Sequence, residues 1–487
     1  MISAYSFGWL DYSVVGAYLI GMLLVGVFFS KRQRSTHDYF KGGGRIPWWA
    51  AGISIFGTVL SAISFMAIPA KTFDSDWTYL LNALSPVFVA PIVIVLFLPF
   101  YHRLNVTSAY EYLENRFDLR IRLIGSVFFM LFQISRVSVV LLLPSIALNV
   151  VTGFSVINCI LIMGLLSMIY TMLGGIEGVI WTDVVQVVIL IGGVMLAIVF
   201  MILQLDQPLS SLYQNAVSAG KLKTIDWAFD LKEPTIWIAL SGGIFSNLAF
   251  YGTDQTVVQR YVTSKNIESS KKSVWTNAIL IFPSTILFFS LGTLLFLYYQ
   301  SFPNQGVEGL VNKDAIFPYF IINELPQGVS GLLIAALFAA AMSSISSSLN
   351  SISTAYTFDF HQRFNWKGNG LVVARISTLV SGVICLGLAI LLANLELNSL
   401  WDAFLKMVGL LTGSLGDLFA LGMIHKGVTA RAAFLGFIMS GLLQMGLFFL
   451  DEIHLLFYSV TGFVSAYMFG FFIQFLLPAE NKTTPSD

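Results

Sequence analysis

The chain has 487 residues, of which 56% are hydrophobic and only 11% are charged. Soluble proteins carry charge at about 25% of their positions. Disordered chains are poor in aromatic residues, whereas this chain contains 42 Phe, 18 Tyr and 10 Trp. Its 26 basic residues balance its 26 acidic residues, so the net charge does not indicate a nucleic-acid partner. The composition excludes an ordinary water-soluble enzyme and predicts a polytopic membrane protein.

Apolar stretches long enough to cross a membrane recur along the whole chain. A membrane helix needs about 20 mostly apolar residues, and these stretches lack the alternation of a β-barrel strand. The sequence therefore predicts an all-α membrane protein with about thirteen transmembrane helices. Their predicted positions are 9–30, 47–71, 77–100, 123–150, 155–174, 179–204, 235–257, 274–300, 328–358, 370–393, 399–424, 432–450 and 454–477.

Basic residues in the loops predict the orientation, because Lys and Arg are retained on the cytoplasmic side of a membrane. Every second loop is rich in them: these loops together hold 17 basic residues, whereas the intervening loops hold 4. The N-terminus is therefore expected outside and the C-terminus inside, which requires an odd number of spans. The polar tail 478–487 is expected to be cytoplasmic and disordered.

The second predicted span is interrupted by small and polar residues. It reads WWAAGISIFGTVLSAISFMAIPAK, in which Gly52 and Gly57 are accompanied by several hydroxyl residues. A broken membrane helix frees main-chain carbonyls, whose oxygens can bind a cation. Small residues also allow membrane helices to pack closely, so close packing is an alternative interpretation.

The ninth predicted span carries a stripe of hydroxyl residues in the segment FAAAMSSISSSLNSISTAY. Ser343, Ser346, Ser347 and Asn350 are spaced i, i+3, i+4 and i+7, which places them on one face of a helix. Serine oxygens are hard, neutral donors that suit a weakly held monovalent cation. A lone serine usually bonds back to its own helix, but seven serines between 343 and 353 favour a functional role.

A few charged residues lie within predicted spans. Arg136 is in the middle of the fourth span without a carboxylate nearby in sequence. Its partner is either a residue such as Asp183 or a ligand carboxylate, which a guanidinium binds with two hydrogen bonds. Asp183, near the start of the sixth span, either caps that helix or binds a cation. Lys406 and Asp417, in the eleventh span, lie too far apart to pair, and neither receives a role.

The spans form two blocks of five with opposite orientation, at 47–204 and 235–424. Many secondary transporters contain such inverted repeats, with broken first helices and a binding site at the repeat interface. In the second block the break is expected at Ser241–Gly243, followed by Asn247. The symmetry makes the span of Arg136 equivalent to the serine-rich span, so we expect the polar residues to meet near the bilayer centre.

Six motifs are shared with a known family: Phe29–Arg34 (FSKRQR), Asp38–Gly44 (DYFKGGG), Thr107–Leu113 (TSAYEYL), Gly174–Asp183 (GGIEGVIWTD), Val257–Tyr261 (VVQRY) and Phe338–Ser351 (FAAAMSSISSSLNS). On these motifs the chain resembles the solute:sodium symporter family over almost its full length, and within it the bacterial sialic-acid transporters. The resemblance implies a LeuT-like fold with one extra helix before the repeats, at 9–30, and two after them, at 432–477. It also implies the bacterial cytoplasmic membrane as the location.

The resemblance further implies two sodium sites. The first would combine main-chain carbonyls with serine hydroxyls, from Gly57, Leu60, Ala340, Ser343 and Ser344. The second would combine a carboxylate with hydroxyls, from Asp183, Ser343, Ser346 and Ser347.

The same resemblance implies a substrate pocket in which Arg136 binds a carboxylate. The other pocket residues would be Ser61, Ser64 and Tyr79, the last contacting the sugar. Two positions depart from the family pattern, since Val59 replaces a threonine and Ala83 replaces a glutamine. Asn82 lies beside Ala83 but on a different helical face, so it would substitute poorly for the glutamine.

Sodium-driven import of a sialic acid, such as N-acetylneuraminate or a relative, is the function that these observations favour. Another organic acid, sugar or amino acid is the alternative substrate. A proton-coupled transporter using Asp183, an ion channel, and a membrane-embedded enzyme or sensor are the rival classes, but the sequence shows no catalytic pair or signalling domain. The expected partners are sodium ions, an anionic sugar and the lipid bilayer. The oligomeric state stays open, a monomer included.

Overall fold

The computed structural model describes residues 7–104, 106–310, 313–395, 415–416, 418–425, 427–450 and 453–477. Within these ranges the chain is helical and contains no β-strand, which confirms the predicted all-α class. Most of the predicted eleventh span, 399–424, lies outside the described residues, and Lys406 and Asp417 with it. The predicted tail, 478–487, lies outside them as well.

The helices with both ends among the described residues are numbered in chain order. They are α1 (Trp9–Ser30), α2 (Thr36–Lys41), α3 (Trp48–Val59), α4 (Ala62–Asp74), α5 (Leu80–Ile92), α6 (Leu98–Leu104), α7 (Glu111–Arg116), α8 (Leu119–Thr152), α9 (Val156–Leu205), α10 (Leu209–Ser218), α11 (Ile236–Thr253), α12 (Gln255–Thr263), α13 (Ile267–Ser301), α14 (Gln305–Glu308), α15 (Ile316–Asn323), α16 (Val329–Ala355), α17 (Gly370–Ala393), α18 (Ala430–Leu450) and α19 (Tyr458–Leu476). Short π-helical segments, Val93–Phe97 and Tyr356–Gln362, extend α5 and α16.

Nine of the described helices are long and apolar enough to cross a membrane, and the bent pair α3–α4 makes ten. Helix α9 has 50 residues and contains Gly175 in a non-helical conformation, at φ 55° and ψ −158°. A Cβ placed on Gly178 would lie 4.0 Å from the carbonyl oxygen of Tyr170, although eight residues of continuous helix span about 12 Å. The chain therefore folds back at Gly175, as the two predicted spans 155–174 and 179–204 require. The full count of thirteen stays a prediction.

The predicted break in the second span is confirmed. Helix α3 ends at Val59, Leu60 and Ser61 have extended backbones, and α4 begins at Ala62. The two helices meet at an angle of 59°. Since the last carbonyls of α3 have lost their helical partners, the break presents main-chain oxygens to whatever packs beside it.

The predicted position of the second break is wrong. Helix α11 continues through Ser241–Gly243, and the break lies at Asp254, whose extended backbone separates α11 from α12. The glycines serve packing instead, because a Cβ on Gly242 would lie 2.5 Å from the carbonyl oxygen of Leu456. Asp254 caps α12 by accepting a hydrogen bond from the Thr256 amide at 2.7 Å.

Helix α16 lies at the centre of the protein. It packs on α1, α8, α9 and α17, and all of its serines are buried. Buried hydroxyls need hydrogen-bond partners, so the serine stripe must bond to polar atoms of its own helix or of the surrounding helices.

Candidate ion and substrate site

The break between α3 and α4 faces the serines of α16. The Ser343 hydroxyl donates to the carbonyl oxygen of Gly57 at 3.0 Å and lies 3.2 Å from that of Ala340. The Ser344 hydroxyl lies 3.5 Å from the carbonyl oxygen of Thr58. Leu60, the remaining residue of the first predicted sodium site, forms the break itself. Neutral oxygens from two helices are thus gathered at one point, a donor set that suits a monovalent cation.

Asp183 places a carboxylate beside the same stripe. Its side chain is fully buried, and its Oδ2 atom lies 3.5 Å from the hydroxyl of Ser347. Its other oxygen, Oδ1, is buried without a hydrogen-bond partner among the described residues. Asp183 lies in the interior of α9, well past Gly175, so the interpretation as a helix cap is wrong. A buried carboxylate oxygen without a donor fits a cation ligand.

The other two residues of the second predicted sodium site bond to the main chain. Besides its bond to Gly57, Ser343 is near Ala340, and Ser346 donates to the carbonyl oxygen of Ser343 at 3.1 Å. The structure thus brings Asp183 and Ser347 together directly. Ser343 and Ser346 lie on the same helix but direct their hydroxyls to carbonyl oxygens.

Arg260 is a buried charge beside the serine stripe that the sequence pattern does not indicate. It falls in the predicted loop between the spans 235–257 and 274–300, but its side chain is fully buried. Its Nη2 atom lies 3.2 Å from Asp183 Oδ2 and donates to the Ser347 hydroxyl at 2.5 Å. Its Nε atom donates to the Ser54 hydroxyl at 2.9 Å. The ion pair between Arg136 and Asp183 that the sequence left open is therefore wrong, because Asp183 pairs with Arg260.

Arg136 has no carboxylate in hydrogen-bonding contact among the described residues. Its Nη2 atom donates to the carbonyl oxygen of Thr58 at 2.9 Å, and its guanidinium carbon lies 5.4 Å from the ring centre of Phe250. Its Nη1 atom is buried without a hydrogen-bond partner in the described part of the chain. The Nη1 group is therefore a donor that suits an anionic ligand.

A cavity of about 330 Å³ opens beside the break. It is lined by the predicted pocket residues Val59, Ser64, Tyr79, Asn82 and Ala83, and by Leu60 of the first predicted sodium site. Its volume falls in the range of small-molecule sites. Arg136 and Ser61 do not line it, because both are buried at the break. Lys71 and Asp74, at the end of α4, also line the cavity, which places it on the α4 side of the break.

Helix α12 closes the opposite, α3 side of the break. The Gln255 side chain donates to the carbonyl oxygen of Thr107 at 2.8 Å and accepts from the Ala109 amide at 2.7 Å. The Gln259 side chain donates to Asn350 Oδ1 at 2.8 Å. Both glutamines are fully buried. The cavity therefore lies on the α4 side of the break, and polar contacts of buried side chains close the α12 side.

Comparison with known proteins places this arrangement in a family. The model of the sodium:solute symporter family matches residues 39–440. Over 471 residues the chain is 41% identical to the sodium/sialic acid symporter SiaT of Proteus mirabilis (strain HI4320), with 96% of this chain and 95% of the relative covered.

Comparison with solved structures identifies the fold. A Na⁺-coupled sialic acid symporter in a substrate-bound outward-open state matches with a TM-score of 0.91 at 40% identity, over 97% of this chain and 99% of that one. MHP1, a nucleobase-cation-symport-1 family transporter, matches with a TM-score of 0.56 at 15% identity over 91% of this chain and 96% of that one, and so shares the fold alone. The fold is LeuT-like, as the sequence predicts. The chain is a multi-pass membrane transporter rather than an enzyme, and it belongs to the sodium:solute symporter family.

Proposed function

We propose that the protein imports a sialic acid, or a closely related carboxylated sugar, together with sodium by alternating access. The observation that carries the proposal is Arg136, a buried guanidinium with an N–H group that lacks a partner among the described residues, bonded to the broken helix whose carbonyls face the serines. The 41% identity to the sodium/sialic acid symporter SiaT supports a sialic acid as the substrate.

Two sodium ions are assigned to the centre of the protein. The first is held by the carbonyls of Gly57, Leu60 and Ala340 and the hydroxyls of Ser343 and Ser344, a set supported by the contacts between α3 and α16. The second is held by Asp183, Ser343, Ser346 and Ser347. Its support is Asp183, whose Oδ2 atom lies 3.5 Å from the Ser347 hydroxyl and whose Oδ1 atom is buried without a hydrogen-bond partner among the described residues.

The substrate is assigned to the cavity and to Arg136 behind it. Arg136 binds the carboxylate, Ser61 and Ser64 supply hydroxyls along the break, and Tyr79 contacts the sugar. Val59 and Ala83 line the cavity without polar side-chain groups. We therefore expect the chain to recognise the substrate face next to them by shape rather than by hydrogen bonds.

Coupling follows from a shared carbonyl. The oxygen of Thr58 accepts a hydrogen bond from Arg136 and lies 3.5 Å from Ser344, so the proposed substrate and sodium ligands hold the same turn of α3. Sodium that orders this turn also positions Arg136, and linkage makes the effect reciprocal. The membrane potential then drives import, since one charge crossing 100 mV releases about 2.3 kcal/mol.

The proposed orientation places the N-terminus outside and the C-terminus in the cytoplasm of a bacterial cell, with the protein in the cytoplasmic membrane. The repeats are assigned to 47–204 and 235–424. The alternating distribution of basic residues among the loops supports this orientation. In it, the cavity beside α4 faces outward and α12 seals the cytoplasmic side.

Reconstituted transport tests the proposal. Purified protein in liposomes is supplied with sialic acid, proline, glucose or pantothenate, with and without an inward sodium gradient. We expect uptake of sialic acid alone, and only with the gradient. Equal uptake after replacing sodium by choline at fixed pH would overturn sodium coupling and favour a proton-coupled transporter. Glucose uptake equal to sialic acid uptake would overturn the role of Arg136 as a carboxylate receptor.

A further inference from the structure

Helix α12 contains the motif VVQRY, which the proposed function leaves unexplained. This short helix follows the break at Asp254, and its polar side chains reach three different parts of the protein. Gln255 binds the Thr107–Ala109 segment, Gln259 binds α16, and Arg260 reaches α3, α9 and α16. Of these three residues Arg260 alone carries charge, and it is directed to the serine stripe.

Arg260 contacts two of the atoms assigned to the second sodium ion. Its Nη2 atom is 2.5 Å from the Ser347 hydroxyl and 3.2 Å from Asp183 Oδ2. Ser54 connects the pair, since its hydroxyl donates to Asp183 Oδ2 at 2.5 Å and accepts from Arg260 Nε at 2.9 Å. One oxygen of Asp183 is thus fully engaged, whereas Oδ1 has no hydrogen-bond partner among the described residues.

We propose that Arg260 is a tethered cation that shares Asp183 and Ser347 with sodium. Sodium binding at the second site and the attachment of α12 to Asp183 therefore weaken each other. This inference rests on the proposed sodium-coupled function. A guanidinium and a sodium ion beside one buried carboxylate repel each other, because the interior screens charge weakly. Arg260 therefore keeps sodium weakly bound. Weak binding is required because the ion must be released in every transport cycle.

The consequence for α12 follows from linkage. If Arg260 lowers the affinity of Asp183 for sodium, sodium lowers the affinity of Asp183 for Arg260 by the same factor. Arg260 is the contact of α12 with Asp183, so a bound sodium weakens one anchor of the helix that seals the site. Sodium at the second site therefore loosens the attachment of α12, and Arg260 acts as a positioning residue.

Sodium binding to the purified protein tests the competition, using ²²Na⁺ without substrate. Arg260→Gln should lower the dissociation constant of the second sodium site, the one that includes Asp183, about tenfold, equivalent to about 1.4 kcal/mol. Arg260→Lys, which keeps the charge, should restore an affinity near the wild-type value. In an Asp183→Asn background Arg260→Gln should change nothing. A merely structural ion pair would give unchanged or weaker sodium binding in Arg260→Gln, and that result overturns the proposal.

A matched control and a second measurement keep the test decisive. Arg122 is another buried arginine paired with a buried aspartate, Asp359, at 2.8 Å, and Arg122→Gln should leave the sodium dissociation constant unchanged. If Arg260→Gln does not fold, hydrogen–deuterium exchange of residues 255–263 in the wild type decides. Sodium should raise the exchange severalfold in the wild type and leave it unchanged in Asp183→Asn. Exchange that sodium does not raise in the wild type overturns the proposal.

The failure of this inference differs from a failure of the proposed function. If the wild-type protein binds no sodium at all, the sodium-coupled function falls, and this inference with it. If the wild type binds sodium but Arg260→Gln leaves the affinity unchanged, the function stands and the competition alone is overturned.

Discussion

The guanidinium of Arg136 donates a hydrogen bond to the carbonyl oxygen of Thr58 across 2.9 Å. Thr58 belongs to the last turn of α3, directly before the break, and its carbonyl also lies 3.5 Å from the Ser344 hydroxyl. The residue assigned to the substrate carboxylate is therefore bonded to the segment assigned to sodium. A change at Arg136 or at Ser344 therefore affects the same carbonyl group, that of Thr58.

Arg136→Ala should discriminate between acids and neutral sugars. Hydrogen bonds to a charged group contribute about 1.5–3 kcal/mol, so the half-saturating concentration of a sialic acid should rise about ten- to a hundredfold. The neutral methyl ester of the same sugar should be affected far less. Competition of both compounds against labelled substrate in liposomes measures the difference. Equal loss for acid and ester would make Arg136 a structural cation.

Ser343→Ala should weaken sodium dependence. Ser343 contributes to both proposed sodium sites, and losing one oxygen ligand at about 1 kcal/mol should raise the half-maximal sodium concentration about fivefold. Ser353→Ala is the matched control, because Ser353 is equally buried on α16 but donates to the carbonyl oxygen of Ala374 at 2.7 Å. Its sodium dependence should match the wild type. Wild-type sodium dependence in Ser343→Ala would remove this serine from the mechanism.

The first helix break could be predicted from the sequence, and the second could not. Glycine and serine inside a span indicate either a break or close packing. Around Gly57 and Ser61 the chain breaks, whereas Gly242 provides close contact with Leu456. The useful signal in the second repeat was Asp254, an aspartate that caps the short helix after the break. The serine stripe was predictable because helical periodicity alone places it on one face.

The partners of the buried charges could not be predicted. Charge counting assigned Arg260 to a loop, because α12 has only nine residues and is too short to be recognised as part of a span. Arg260 is buried because of how α12 packs against the other helices near the break. Such tertiary packing cannot be read from the local sequence. The same packing decides that Asp183 pairs with Arg260 and leaves Arg136 to the Thr58 carbonyl.

Asp11 connects the extra first helix to the serine-rich helix. Its carboxylate is fully buried and accepts hydrogen bonds from the amides of Gly328 and Gly331, at the start of α16, at 2.7 Å each. A carboxylate at a helix N-terminus satisfies amides that lack helical partners. Asp11→Ala should therefore lower the free energy of unfolding by about 2 kcal/mol. Thermal unfolding of the purified protein measures this loss.

Ser13→Ala is the control for the Asp11 variant. Ser13 lies on the same helix, but its hydroxyl bonds back to Trp9 in an exposed position, so its removal should leave the melting temperature unchanged. If Asp11→Ala unfolds at the wild-type temperature, α1 does not stabilise α16 through this carboxylate.

Glu114 joins α7 to the chain that follows α16 and makes stability depend on pH. Its carboxylate accepts a hydrogen bond from Arg363 at 2.6 Å and pairs with Arg122 at 2.8 Å. The hydrogen bond from Arg363, together with Arg122, holds the pKa of Glu114 below its usual value. The stabilisation is therefore complete above the ordinary glutamate pKa of about 4.3 and is lost as the pH falls through the lower folded value.

Glu114→Gln should lower the melting temperature at neutral pH, and the difference from the wild type should disappear in strong acid, where the wild-type carboxyl is also neutral. Melting curves in detergent between about pH 7 and about pH 3 measure this convergence. Glu268→Gln is the control, since Glu268 pairs with Lys271 at an exposed position and such pairs contribute little. A difference between Glu114→Gln and the wild type that persists at the lowest pH would show that the charge of Glu114 does not stabilise this contact.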